Sequence, residues 1–243
     1  MKPKILIVGG GITGLALAAL LEKQNIRVEI VEKSMDWSKL GYGITVMPAG
    51  LRIARKLQII ESLRAHGTSA NDFHFLNLDG ELIREVKLKT GGVDSITLSR
   101  NDLHASILAK LTKSRIRMNM TVTDIEETAN GVRVQLSNGS KEDFNLVVGA
   151  DGVRSKIREI IFPESVHEAA GAAIWTFFLP QGVKLPSSKS VLQVWDKNEF
   201  MGIFPFKSSA AVTFSAPLES GESLTHFDMK KHFGNISFLQ EIY

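Results

Sequence analysis

The chain has 243 residues, 44% hydrophobic and 23% charged, with a formal net charge of +3. That apolar content excludes a disordered tail, and lysines and arginines spread along the chain imply no nucleic-acid partner. The absence of cysteine excludes disulfide frameworks, thiolate zinc sites, iron–sulfur clusters and cysteine nucleophiles, and fits a reducing, cytoplasmic setting.

The first apolar run, Ile5 to Val8, follows two lysines and stops at Gly9, too short for a secretory core. It suits a buried parallel strand. Gly9–Gly14 is a glycine-rich turn, and Leu15–Lys23 reads as a helix rich in small residues. Its apolar run ends at Glu22, well short of the roughly 20 residues a membrane span needs, so no membrane is expected. Arg27–Glu32 alternates like a strand and closes on an acid. The order strand, glycine turn, helix, strand fits one βαβ unit.

Pro48–Leu57 reads as a helix with its proline in the first turn. Phe73–Leu78 and Glu81–Leu88 flank Asp79-Gly80, a two-residue hairpin signal. Arg100–Leu111 reads as an amphipathic helix. Val122–Glu127, Val132–Leu136 and Phe144–Val148 form a predicted meander, turning at Ala129-Asn130-Gly131 and Asn138-Gly139. Beyond Pro163, Ile174–Leu179, Ser190–Trp195, Phe200–Phe206 and Ala211–Ala216 read as strands. Ser223–Gly234 and Ile236–Tyr243 read as helices. The late strands and the Asp79-Gly80 hairpin are expected to share a second sheet, which makes both domains discontinuous in sequence.

Gly9-x-Gly11-x-x-Gly14 matches the dinucleotide fingerprint, and its context of strand, helix and terminal acid strengthens it. Gly9 permits the tight turn, Gly11 lets the backbone approach a pyrophosphate, and Gly14 allows close helix–strand packing. The helix N-terminus offers unpaired N–H groups to phosphate. Glu32 is placed to accept from ribose hydroxyls and disfavours a 2′-phosphate. FAD and NAD fit this fingerprint equally. A P-loop is excluded, because Leu15-Ala16 stands where Lys-Ser/Thr is required, and no Gly-x-Ser-x-Gly elbow occurs. His226 and His232 lack metal-site spacing, so no metal is expected.

Val147-Val148-Gly149-Ala150-Asp151-Gly152-Val153-Arg154-Ser155-x-Ile157-Arg158 closely resembles the DG motif of class A flavoprotein monooxygenases, the para-hydroxybenzoate hydroxylase-like family. Ser99-Arg100-Asn101-Asp102-Leu103 is similar to that family's Arg-x-x-Leu helix start, whose arginine contacts FAD. Lys33 stands where relatives carry Arg or Lys, and Gly41-Tyr42-Gly43-Ile44 resembles their Gly-x-Gly-Ile loop near the flavin. Ala173-Ile174-Trp175-Thr176 resembles a strand that often reads Trp-Arg in relatives, with Thr176 in place of the arginine. Gly202-Ile203-Phe204-Pro205 resembles the strand over the flavin and substrate rings.

The resemblance implies an α/β fold: a Rossmann-like, glutathione-reductase-type FAD-binding domain with a second, largely antiparallel substrate sheet. The expected division is 1–72 and 99–162 for the first, 73–98 and 163–243 for the second. It implies FAD contacts from Gly9, Gly11, Thr13, Gly14, Glu32, Lys33, Gly43, Ile44, Arg100, Val122 and Asp151, and a substrate wall that includes Trp195 and Phe204. The implied reaction is hydroxylation of a small aromatic compound by O2 and NAD(P)H through a flavin C4a-hydroperoxide. The cofactor carries that chemistry, so no catalytic side chain is named. The family's second FAD motif, Gly-Asp-Ala-Ala-His, has no counterpart before Tyr243. Exposed apolar surface on the first helix and second sheet is therefore expected, inviting a homodimer or a completing partner chain. Rival readings are a non-catalytic FAD- or nucleotide-binding module and an NAD-dependent dehydrogenase. The DG motif argues against the dehydrogenase.

Overall fold

The computed structural model describes residues 3–37, 42–69, 71–87, 95–166, 168, 171–179, 183, 185, 187, 190–196, 198–207 and 209–217. Its elements begin β1 (Ile5–Val8), α1 (Ile12–Lys23), β2 (Val28–Glu32), β3 (Gly43–Val46), α2 (Pro48–Leu57), α3 (Ile60–His66) and β4 (Thr68–Ser69). There follow β5 (Asp72–Leu76), β6 (Leu82–Lys87), β7 (Ile96–Ser99), α4 (Arg100–Leu108), β8 (Arg115–Met118), β9 (Val122–Thr128) and β10 (Gly131–Leu136). The last are β11 (Lys141–Phe144), β12 (Leu146–Gly149), α5 (Lys156–Ile161), β13 (Ala172–Phe178), β14 (Ser190–Trp195), β15 (Phe200–Phe206) and β16 (Ser209–Pro217). The expected helices Ser223–Gly234 and Ile236–Tyr243 lie outside the described residues, as do His226, His232 and Gly41.

The chain divides into two units. The first comprises Met1–Lys39, Lys56–Ile59 and Leu103–His167; the second comprises Leu40–Arg55, Ile60–Asp102 and Glu168–Tyr243. Both are discontinuous in sequence. Segments 40–55, 60–72 and 99–102, expected with the first, group with the second. The reason is long-range pairing: β3 and β4 both pair antiparallel to β7, which keeps these segments together.

In the first unit, β1 lies at the centre of a four-stranded parallel sheet of order β12-β1-β2-β8. Parallel strands flanked on both faces need continuous apolar runs. Leu6, Ile7 and Val8 are at most 1% exposed. Helix α1 packs on this sheet, burying Leu15, Ala18 and Ala19. The meander β9-β10-β11 joins Val122, Val134, Leu136 and Phe144 to Leu6, Val8 and Val31 in one apolar cluster. Burying each such large side chain contributes about 1.5–3 kcal/mol.

Several boundaries differ from expectation, three of them with a clear consequence for the first unit. The helix after the glycine turn starts at Ile12 rather than Leu15, because Gly11 already stands as its N-cap. Helix α4 stops at Leu108 rather than Leu111. The expected strand Phe144–Val148 is two strands broken at Asn145. Asn145 donates its N–H to the Lys4 carbonyl and accepts from Lys4 N–H, both at 2.8 Å, which turns the chain from the meander into the parallel sheet.

In the second unit, six strands run in the order β13-β16-β15-β14-β5-β6. The Asp79-Gly80 hairpin and the late strands do share this sheet, through the parallel pair β14–β5. The hairpin loop is longer than two residues. Asn77 N–H bonds to the Glu81 carbonyl at 3.0 Å, and Gly80 sits at φ +83°. One sheet face buries Leu192, Val194, Met201, Ile203, Val212 and Phe214. Among the described residues no helix is long and apolar enough to cross a membrane.

Candidate functional site: a dinucleotide turn and an aromatic sheet face

The glycine turn leaves the C-terminal end of β1 and enters α1 directly. Gly9 has φ +112°, a backbone region that side chains rarely adopt, and a Cβ there would sit 3.0 Å from Asp151 Cα and closer to Ala150. A Cβ on Gly14 would strike the Gly9 carbonyl oxygen and lie 3.3 Å from Ile7 Cγ2. The turn can therefore be closed only by glycine at both points. Gly11 caps the helix with extended backbone and no side-chain bond, so the first-turn N–H groups keep donor capacity. Thr13, in that turn, is exposed.

Glu32 ends β2 and is 8% exposed. Its Oε2 accepts from Gly10 N–H at 2.7 Å and its Oε1 from Ser34 N–H at 2.9 Å. A carboxylate has about four acceptor sites, so capacity remains for ribose hydroxyls. Lys33 beside it is exposed. Asp151 adjoins the same turn: Ala150 N–H bonds to the Val8 carbonyl at 2.8 Å. The Asp151 carboxylate accepts from Ser155 Oγ and Lys156 N–H at 2.6 Å each, and from Ile157 N–H at 3.1 Å. It thus closes the N-terminus of α5 and rigidifies the DG segment. Arg158 donates to the Val153 carbonyl at 2.6 Å. Val122 is fully buried in the apolar cluster.

Two residues at this turn were not singled out from sequence. His104 Nε2 donates to the Gly10 carbonyl at 2.8 Å; a carbonyl only accepts, so this nitrogen carries the proton. The His104 ring centroid lies 4.7 Å from that of Trp37. Trp37 Cζ2 lies 3.0 Å from where a Gly10 Cβ would stand, and its indole N–H is buried with no partner. No motif marks Trp37, because its approach to Gly10 depends on tertiary folding.

The second unit holds the remaining residues. Arg100 opens α4, donates its N–H to the Tyr42 carbonyl at 2.9 Å, and sets its guanidinium 5.2 Å from the Tyr42 ring centroid. Ser99 Oγ donates to Asp102 at 2.6 Å and accepts from Asp102 N–H at 3.0 Å, capping the same helix. Gly43 and Ile44 lie on β3, paired with Ser99 and Leu98. Trp195 is 54% exposed, packs its ring at a tilt of 53° against Phe200 with centroids 4.7 Å apart, and donates to Gln193 Oε1 at 3.1 Å. Phe204 is half-buried. Both lie on the sheet face opposite the buried cluster. Exposed apolar side chains do occur on this sheet, at Leu82, Ile83, Ile174, Phe178 and Trp195, whereas α1 places none of its large apolar residues in the exposed class. Among the described residues no cluster of His, Cys, Asp and Glu suits a metal ion.

The glycine cradle, the free helix N-terminus and the spare Glu32 acceptors fit a dinucleotide pyrophosphate and ribose. The comparisons agree. The family described as FAD binding domain matches residues 2–230. The 2-heptyl-3-hydroxy-4(1H)-quinolone synthase of Pseudomonas aeruginosa is 31% identical over 82% of this chain and 52% of that protein. The 6-hydroxynicotinate 3-monooxygenase of Pseudomonas fluorescens is 30% identical over 70% of this chain and 46% of that protein. The chain spans about half the length of these relatives. Klebsiella pneumoniae HpxO, solved with FAD and uric acid, shares the fold with a TM-score of 0.88 at 20% identity, covering 99% of this chain and 64% of that one. The chain belongs to the FAD-binding-domain family of flavoprotein monooxygenases related to para-hydroxybenzoate hydroxylase.

Proposed function

We propose that this chain binds FAD and forms the cofactor- and substrate-binding part of an NAD(P)H-dependent monooxygenase acting on a small aromatic compound. The observation that carries the reading is the Gly9–Gly14 turn with Glu32 beside it, where no side chain fits at Gly9 or Gly14 and carboxylate capacity is left over. Relatives that hydroxylate aromatic rings, at 30–31% identity, support the reaction class. In this reading Gly9, whose N–H is bonded to the Val31 carbonyl at 2.8 Å, keeps the turn tight, Gly11, Thr13 and Gly14 line the pyrophosphate, and Glu32 holds ribose hydroxyls with Lys33 alongside. Asp151 fixes the DG segment next to the turn. In the second unit Gly43, Ile44 and Arg100 serve the flavin, and Trp195 and Phe204 wall the substrate. Bound FAD would supply two-electron reduction by NAD(P)H and activation of O2. The chain's own residues bind, orient and exclude water.

Absorbance tests this. FAD bands near roughly 370 and 450 nm that stay with the protein through gel filtration support it. A colourless protein after FAD addition overturns it. Retained flavin with no NAD(P)H oxidation in the presence of phenolic substrates keeps the binding role and removes the catalytic one.

A further inference from the structure

Gly10 is held on three sides by groups of the first unit. Its N–H donates to Glu32 Oε2 at 2.7 Å, and its carbonyl accepts from His104 Nε2 at 2.8 Å. Trp37 closes the third side, since a Cβ on Gly10 would lie 3.0 Å from Trp37 Cζ2 and 3.1 Å from Glu32 Cβ. Trp37 also packs on the His104 ring, with centroids 4.7 Å apart and planes tilted by 55°. His104 is 3% exposed and comes from α4, 94 positions away in sequence. Packing therefore keeps its N–H at a fixed point beside the turn.

The Gly10–Gly11 peptide is trans. In a trans peptide the carbonyl and the following N–H point in opposite directions across one plane. Drawing the Gly10 carbonyl toward buried His104 therefore turns the Gly11 N–H the other way. Among the described residues nothing accepts from that N–H. Gly11 is the N-cap of α1, with φ −74° and ψ −178°, so its N–H stands at the helix end that favours an anion. Both residues flanking this peptide are glycines, so side-chain sterics do little to oppose a flip. A flipped peptide would aim the Gly10 carbonyl oxygen at the same anion and repel it. A hydrogen bond to that carbonyl is what selects the donor-out orientation.

We propose that His104 is a positioning residue for the pyrophosphate: its hydrogen bond locks the Gly10–Gly11 peptide so that the Gly11 N–H, and not the Gly10 carbonyl, faces the phosphate oxygens. The inference rests on the functional reading above and adds to it a residue of α4 that acts through the backbone. A donor already aimed at the anion spares the reorganisation that binding would otherwise cost. The glycines of the turn permit this geometry, and His104 selects it.

Two substitutions test this. His104→Phe keeps a ring against Trp37 and removes the donor, whereas His104→Gln restores an amide donor of similar reach. In the ligand-free chain, the NMR resonances of the Gly10 carbonyl carbon and the Gly11 amide nitrogen are expected to move in His104→Phe and to return in His104→Gln. Titrations with ADP and with adenosine supply the second readout. His104→Phe is expected to weaken ADP binding about tenfold while leaving adenosine binding unchanged, and His104→Gln to recover most of the ADP affinity. Unmoved resonances overturn the inference. So does an equal loss for ADP and adenosine, which a merely structural role would give, or a glutamine variant that folds by circular dichroism and recovers nothing. Should His104→Phe not fold, the unaltered chain decides by hydrogen exchange: the Gly11 amide is expected to be open without ligand and protected by ADP, and protection already present without ligand overturns the inference. An unaltered chain that binds neither ADP nor FAD defeats the cofactor reading instead, and resonances that still follow the donor uphold the peptide lock by itself.

Discussion

At the residue scale, the glycine turn is the most constrained point of the first unit. Gly14→Ala drives a methyl into the Gly9 carbonyl, a backbone atom that cannot swing aside. The expected cost is about 1–3 kcal/mol, read in urea unfolding, together with loss of retained flavin absorbance. Unchanged stability and flavin retention would mean that the turn does not bind the pyrophosphate as argued. Trp37 gives a spectroscopic counterpart. Its indole N–H is buried and unpartnered beside Gly10 and Glu32, so a bound adenosine moiety would change its surroundings. Of the chain's three tryptophans, Trp37 is expected to carry most of the fluorescence quenching on FAD titration, and Trp37→Phe to remove it. Quenching that survives the substitution assigns the signal to Trp175 or Trp195.

At the element scale, α1 is fastened to the segment before β8 by one buried carboxylate. Glu22, 7% exposed, accepts from the N–H groups of Thr112, Lys113 and Ser114 at 2.5–3.2 Å. Burial pushes its carboxyl up, but these hydrogen bonds outweigh it and hold the group below the ordinary 4.5. A depressed folded-state value adds stability above the unfolded value, lost as pH falls through the folded one. Glu22→Gln is therefore expected to cost about 1–3 kcal/mol at neutral pH, and to shrink the difference from the unaltered chain below pH 4.5. Denaturant midpoints across pH 3–7 measure both. A difference that does not shrink toward acid would exclude the charge as its source. A second tie joins β8 to β11: Arg117 bonds Glu142 at 2.6 Å, which lowers the Glu142 value. It fixes the meander against the parallel sheet, and both partners are only partly exposed, so it outperforms an open surface pair.

At the scale of the whole molecule, a ligand that binds only the folded chain stabilises it by mass action. FAD at about 100 times its dissociation constant contributes about 2.7 kcal/mol. For a chain of this size that is a rise in melting temperature of roughly 5–10 °C. A thermal shift with FAD, absent with riboflavin at equal concentration, would locate the binding energy in the ADP half, where the glycine turn lies. Equal shifts with both would place it elsewhere. The two units have separate cores, so the Gly14→Ala defect is expected to lower the first unit's transition more than the second's.

The sequence by itself determined the strand–turn–helix–strand start, the Glu32 terminus, the hairpin and the late strands β14 and β15, because each rests on local chemistry: periodicity, turn residues and glycine spacing. It also carried the family through colinear motifs. Several features depended on tertiary structure. The grouping of β3, β4 and β7 with the second unit follows from long-range pairing that no local pattern reports. So does the break at Asn145, which comes from a bond to Lys4 across 141 positions. Trp37 and His104 meet Gly10 only once the chain has folded, and Val122 proved to be core because its neighbours come from four other strands.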